Sequence, residues 1–135
     1  MRTTALLLAA TAAILLNILC CVPLLAQQNT FRNAPASSSQ VKNPYAGSAQ
    51  AASAGKKLYS QNCLQCHGIN RQGMGPAPAL DTAMVRNAKP GELFWFITNG
   101  KPSSGMPAWA VLPKQQRWQI VSFLQSKPAE KAAAK

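Results

Sequence analysis

The stretch Cys63-Leu64-Gln65-Cys66-His67 holds the residues of this 135-residue chain best suited to covalent and metal chemistry. Two cysteines two residues apart, with a histidine directly after the second, form the attachment signature of a c-type haem. The spacing has a chemical reason. On one tight turn each thiol can add to a haem vinyl group, and the adjacent imidazole is then carried under the iron. One short peptide thereby holds the ring at three points.

The competing chemistries of a C-x-x-C pair fit less well. Structural zinc takes about four protein ligands, and the central part of the chain offers only Cys63, Cys66 and the single histidine, His67. A thioredoxin-like dithiol would stand beside a βαβ pattern, and none is visible. A haem iron with histidine on one side needs either a second strong ligand or an open position. With one histidine in the chain, a bis-histidine site is excluded and the candidates are Met74, Met84 and Met106. Met74 lies in the loop just after His67, and Met84 falls in a predicted helix where a core role is expected. Met106 is favoured, because Gly105 and Pro107 place it on a stiff loop.

The elements that must position these residues follow from pattern and punctuation. Ala49 to Asn62 is predicted to be a helix that delivers Cys63, with Gly55, Leu58 and Tyr59 as its feature residues. Glycine inside a helix is unfavourable by about 1 kcal/mol against alanine, which points to another backbone crossing closely. The last helix is the candidate partner: Pro113 suits its start, Ile120, Val121 and Leu124 form an apolar face flanked by Trp118 and Phe123, and Pro128 stops it. After His67, Gly68, Gly73, Gly75, Pro76 and Pro78 make a loop. A ligating histidine needs its other nitrogen held by an acceptor, and a rigid proline-containing loop can present a backbone carbonyl there. Asp81 to Asn87 is predicted to be a short helix capped by Asp81, and Pro90 to Thr98 a firmer one, ending at Asn99-Gly100.

The ends of the chain carry a different message. Met1-Arg2 is a positive start, Ala5 to Val22 is almost wholly apolar, and Leu24-Leu25-Ala26 precedes the polar Gln27-Gln28. Residues 1–26 are therefore expected to be a secretory signal peptide cut after Ala26, the alternative being an uncleaved anchor of membrane-spanning length. Either implies a periplasmic or otherwise extracytoplasmic domain, where thioether attachment belongs and free thiols would oxidise. Residues 27–48 are expected to be a flexible linker, 49–127 the folded domain and 128–135 a flexible tail. The chain carries a net charge of +11, and a positive field of this size steers encounter with acidic surfaces. Redox proteins with acidic docking surfaces are the expected partners. Nucleic acid is not expected, since no recognised binding motif accompanies the charge, and membrane contact is expected only if the N-terminal segment is retained.

Over 49–127 the residues resemble the class I c-type cytochromes, in particular the small monohaem proteins of bacterial respiratory chains. The resemblance rests on Gly55-x-x-Leu58-Tyr59-x-x-x-Cys63-x-x-Cys66-His67, Pro78-Ala79-Leu80, Gly105-Met106-Pro107 and a closing helix with Ile120, Val121, Phe123 and Leu124. It implies an all-α cytochrome c fold of about 3–5 helices wrapped around one covalent haem c, with first and last helices crossing near Gly55 and Phe123. It further implies His67 and Met106 as axial ligands and the Pro78 carbonyl as acceptor from His67. The function expected is one-electron transfer by a monomeric, non-enzymatic carrier, with Arg71 and Lys101 as candidates for orienting a partner. Two alternatives are a haem enzyme or gas-binding sensor with an open axial site, and a fixed cytochrome subunit of a dehydrogenase or oxidase complex.

Overall fold

A computed structural model describes residues 33–127. The expected signal peptide or anchor and the expected tail lie outside the described residues. Among those described, no helix is long and apolar enough to cross a membrane.

The architecture is all-α: α1 (Ala49–Asn62), α2 (Leu64–His67), α3 (Ala83–Asn87), α4 (Pro90–Asn99) and α5 (Lys114–Gln125), with 3₁₀ turns at Ala36–Gln40 and Pro102–Ser104. Helix α1 starts where Ser48 accepts the Ala51 amide at 3.1 Å, satisfying a first-turn donor that has no partner within the helix. Its buried residues Ala51, Gly55 and Tyr59 recur every fourth position, a stripe down one face. That face meets α5, which buries Trp118, Ile120, Val121 and Leu124.

Gly55 is where the two helices cross. A Cβ there would collide with the Gln119 carbonyl and stand 3.0 Å from the Phe123 Cβ, so only glycine lets the axes approach this far. The glycine that propensity disfavours is thus required by packing. Tyr59, Ile120 and Val121 are fully buried around this crossing, and burial of a side chain of this size contributes about 1.5–3 kcal/mol.

Helix α4 begins at Pro90, carries Glu92 in its first turn and stops at Gly100, whose φ of 66° and amide bonded to the Phe96 carbonyl form its end. Its Leu93 and Ile97 face the core, while Phe94 stacks on Trp118 of α5 with ring centroids 4.1 Å apart.

Two expectations are corrected here. The flexible linker was expected to run to residue 48, yet its described part packs on the helices. The Ser38 carbonyl closes on Gly91, the Val41 Cβ would lie 2.8 Å from a Cβ at Gly91, and buried Asn43 donates to Ser122 Oγ at 2.9 Å. A segment poor in large apolar residues is here ordered by polar and backbone contacts, not by a core of its own. The cap of α3 is Thr82, which accepts the Val85 amide at 3.2 Å, and not Asp81. Asp81 is drawn away by Arg86 at 2.7 Å and Arg71 at 3.7 Å.

Candidate haem site

The C-x-x-C-H turn follows directly from the end of α1. The Cys63 amide closes that helix on the Tyr59 carbonyl at 2.8 Å, and the Cys63 carbonyl then accepts the amides of Cys66 at 3.2 Å and His67 at 2.9 Å. Gly68, at φ 78°, ends α2. One turn thereby carries both thiols and the imidazole. Neither cysteine is in a disulfide; Cys63 is half-buried and Cys66 exposed. Burial, reinforced by the neighbouring Cys66, pushes the free Cys63 thiol up to about 11, so before any attachment it is a protonated thiol at neutral pH.

His67 is buried, 8 % exposed, and its Nδ1 lies 2.9 Å from the Pro78 carbonyl oxygen. A carbonyl only accepts, so this nitrogen carries the proton and Nε2 is left with its lone pair for a metal. The loop that supplies the carbonyl is pinned at several places. The Gly73 amide donates to the His67 carbonyl at 2.9 Å. A Cβ at Gly73 would stand 2.7 Å from the Ala77 oxygen and 2.9 Å from the Pro78 carbonyl carbon, so a side chain would push the Pro78 peptide away. Buried Tyr59 donates its hydroxyl to the Gly68 carbonyl at 2.7 Å, and burial pushes that phenol up to about 12.

Met106 is carried on a separate loop after α4. Its amide and carbonyl pair with the carbonyl and amide of Lys101, at 3.2 and 2.9 Å, while the Trp109 amide returns to the Ile97 carbonyl at 3.0 Å. Gly100 admits the close approach: a Cβ there would be 2.6 Å from the Met106 oxygen. Arg117 of α5 donates to the Leu112 carbonyl at 3.1 Å, bonds Thr98 Oγ1 and covers the Phe94 ring at 4.8 Å. The other candidate methionines are more exposed, Met74 at 54 % and Met84 at 43 %. Met84 does lie on a helix, but not in the core as expected, because the buried side of that short helix is taken by Val85.

Arg71 also departs from expectation. As a candidate for orienting a partner it would stand in solvent; instead it is 4 % exposed and bonded inside the protein. Lys101 is exposed, as is every lysine among the described residues. The arginine's inward course had no local sequence signal, because its acceptors are carbonyls of a helix some 50 residues away. Tyr59 and Gly73 were visible in the sequence as a helix feature and a loop glycine, but the Tyr59 hydrogen bond arises only when the chain after His67 folds back on α1, and the close approach at Gly73 only when the loop folds on its own residues 77–79.

The donor set fits a covalently attached haem: two thiols and an imidazole with free Nε2 on one turn, and a thioether on a stiff loop. No group of three or more His, Cys, Asp and Glu side chains able to hold a metal ion by themselves is found among the described residues. An all-α chain with this turn and this supported histidine defines a c-type cytochrome domain. Residues 50–124 match the family described as "Cytochrome C oxidase, cbb3-type, subunit III", and the chain belongs to that family. It is 34 % identical over 92 residues to cytochrome c550 of Pseudomonas aeruginosa, covering 63 % of this chain and 61 % of that one. It is 36 % identical over 69 residues to the cbb3-type cytochrome c oxidase subunit CcoP of Azospirillum brasilense, covering 46 % of this chain and 23 % of the subunit. Among solved structures, cytochrome CL of Methylophaga aminisulfidivorans superposes with a TM-score of 0.53 at 30 % identity, over 62 % of this chain and 57 % of that one. The chain thus spans less than two thirds of the length of each of these relatives.

Proposed function

We propose that this chain is a one-electron carrier with a single haem c, attached through Cys63 and Cys66, ligated by His67 and Met106, and working between redox proteins outside the cytoplasmic membrane. The observation that carries the proposal is the 2.9 Å contact of His67 Nδ1 with the Pro78 carbonyl, which reserves Nε2 for iron. When bound, the haem supplies an iron couple that gains and loses one electron.

The protein's part is to hold and to tune. Thioether links through Cys63 and Cys66 would keep the ring on the α1–α2 junction. The Pro78 carbonyl, by accepting from Nδ1, strengthens the imidazole as a donor, and the Met106 thioether raises the potential. Both candidate ligand loops are pinned by backbone pairs, so they would hold His67 and Met106 in place with little rearrangement. Exposed lysines present positive charge to a transient acidic partner, with Lys101 nearest Met106 in sequence. Residues 1–26 direct export.

The test is an optical spectrum of the purified ferric protein, with cyanide added, and of the ferrous protein with carbon monoxide. A c-type spectrum with a weak sulfur-to-iron charge-transfer band, lost in Met106→Ala, together with slow or absent ligand binding, is the expected result. A high-spin spectrum with rapid ligand uptake in the unaltered protein would move the reading to a sensor or enzyme with an open site.

The family match and the CcoP relative favour a second reading, in which the same haem domain is a fixed subunit of an oxidase complex. Co-purification from solubilised membranes at constant stoichiometry supports the subunit; recovery in the periplasmic fraction as a single species supports the carrier.

A further inference from the structure

Arg71 joins a costly backbone to a costly side chain. Its φ of 63° makes it the non-glycine residue with positive φ among the described residues, a conformation unfavourable for a non-glycine residue by about 1 kcal/mol or more. Its guanidinium is buried. A cation out of water is tolerated only when its donors are satisfied, and here Nη1 reaches the carbonyls of Phe123 at 2.9 Å, Leu124 at 3.4 Å and Ser126 at 3.5 Å. These carbonyls end α5, where helical partners run out and the helix dipole is negative. Nη2 faces Asp81 at 3.7 Å, and the group lies over the Phe123 ring at 4.7 Å.

The same residue closes the loop of the axial histidine. The Arg71 carbonyl accepts the amides of Leu80 at 2.7 Å and Asp81 at 3.0 Å. Pro78, whose carbonyl accepts the hydrogen bond from His67 Nδ1, lies within that closed segment, two residues before Leu80. A turn alone would be met by glycine or asparagine without a buried charge. A helix-end cation alone needs no left-handed backbone. The pairing of the two makes sense if residue 71 must be the base of the loop and the link from that base to the α1–α5 core.

Resting on the haem-ligation reading above, we infer that Arg71 is a positioning residue for the axial imidazole: by tying the base of the 71–81 loop to the end of α5 and to Asp81, it holds the Pro78 carbonyl in line with the His67 Nδ1–H. The strength of that hydrogen bond governs how much electron density the imidazole gives the metal. Arg71 would therefore act on the potential through His67, its guanidinium being engaged by the end of α5 and by Asp81.

The experiment uses the full haem-loaded chain and Arg71→Gly, which removes the guanidinium while suiting the left-handed backbone. The readouts are hydrogen exchange of the His67 Nδ1–H and its nitrogen shift in the ferrous protein, with the Val121 amide at the helix crossing as internal reference. The expected result is a moved nitrogen shift and exchange at Nδ1–H accelerated about tenfold beyond that of Val121, the effect of weakening one hydrogen bond by about 1.4 kcal/mol. Equal acceleration at both positions with an unmoved shift would overturn the inference and leave Arg71 as a helix clamp only. Asp81→Asn keeps the Arg71 guanidinium and loosens its carboxylate contact together with that of Arg86; it is expected to move the same two readouts in the same direction, less far, while Arg86→Met, which removes only the second contact, is expected to leave them unmoved. Should the glycine variant not fold, Asp81→Asn decides, an unmoved shift and exchange ratio refuting the role. The spectrum of the unaltered protein tests the ligation reading separately.

Discussion

The two loops that carry the axial candidates are held in different ways. The His67 loop, 68–81, is tied to the core by two buried side chains, Tyr59 through the Gly68 carbonyl and Arg71 through the end of α5. The Met106 loop, 100–113, is held by its own backbone pairing with Lys101, by the Trp109 amide on α4, and by a half-buried arginine, Arg117. The first loop can open only by exposing buried polar groups of the α1–α5 crossing, each left unsatisfied at a cost of about 1–3 kcal/mol. The second can open by breaking bonds that water readily replaces. The protein thus invests its buried polar contacts on the histidine side and leaves the methionine side as the part that yields first.

The largest expected effect comes from removing the crossing on which the stronger side depends. Gly55→Val places atoms on the Gln119 carbonyl, and overpacking of a tight contact costs about 1–3 kcal/mol and occasionally more. In an equilibrium urea titration this variant is expected to be mostly unfolded or to lose at least that much, with both loops released together. A native-like midpoint would show that the helices can separate without harm to the His67 loop.

Tyr59→Phe acts on one anchor only. It is expected to lower stability by about 1–2 kcal/mol through the lost bond to the Gly68 carbonyl, read as a shift in the denaturation midpoint. The pH dependence has a definite sign. An unfolded tyrosine titrates near about 10, whereas the folded phenol is pushed up to about 12, by burial first. The folded state therefore keeps a proton that the unfolded state loses. Its contribution is complete below pH 10 and disappears as pH rises toward 12, a loss on the order of 2 kcal/mol. The part of the alkaline slope that Tyr59 supplies is expected to vanish in the phenylalanine variant.

Arg117→Met is the mild change. It removes donors to Leu112 and Thr98 but leaves an apolar stem over Phe94, so a loss of about 1 kcal/mol is expected. Hydrogen exchange is expected to accelerate at Met106 and Trp109 and to stay unchanged at Gly73 and Leu80. Smallest is the contrast within the unaltered protein, where the amides of Lys101 and Met106 are expected to exchange faster than those of Gly73 and Leu80. The reverse order would dissolve the comparison.

The outcome at individual residues shows where sequence reading works. The helix Ala49–Asn62 was legible because Gly55, Leu58 and Tyr59 lead directly into the Cys63 turn, and Gly55 announced the crossing because its cost in a helix needed a reason. Asp81 was misassigned as a cap. Aspartate outranks threonine for that role by propensity, and the order was reversed by Arg71 and Arg86, which come from either side of Asp81 and engage its carboxylate. The segment before Ser48 looked unable to order itself because its contacts, Asn43 on α5 and Ser38 against Gly91, are polar or backbone contacts that leave no hydrophobic period. Arg71 looked like surface charge because a buried cation differs from a solvated one only in its neighbours.

The sequence by itself determined the chemistry available to this protein: two thiols and an imidazole at a spacing that one turn brings together, one histidine in all, and helices wherever caps and apolar period coincide. These are local facts, set by covalent reach and by propensities that act over a few residues. Only the tertiary structure decided how the Pro78 carbonyl is held against His67 Nδ1, which arginine turns inward and which methionine stays half-covered. Those outcomes depend on groups many residues apart in the chain, and their desolvation is repaid only after the helices have crossed.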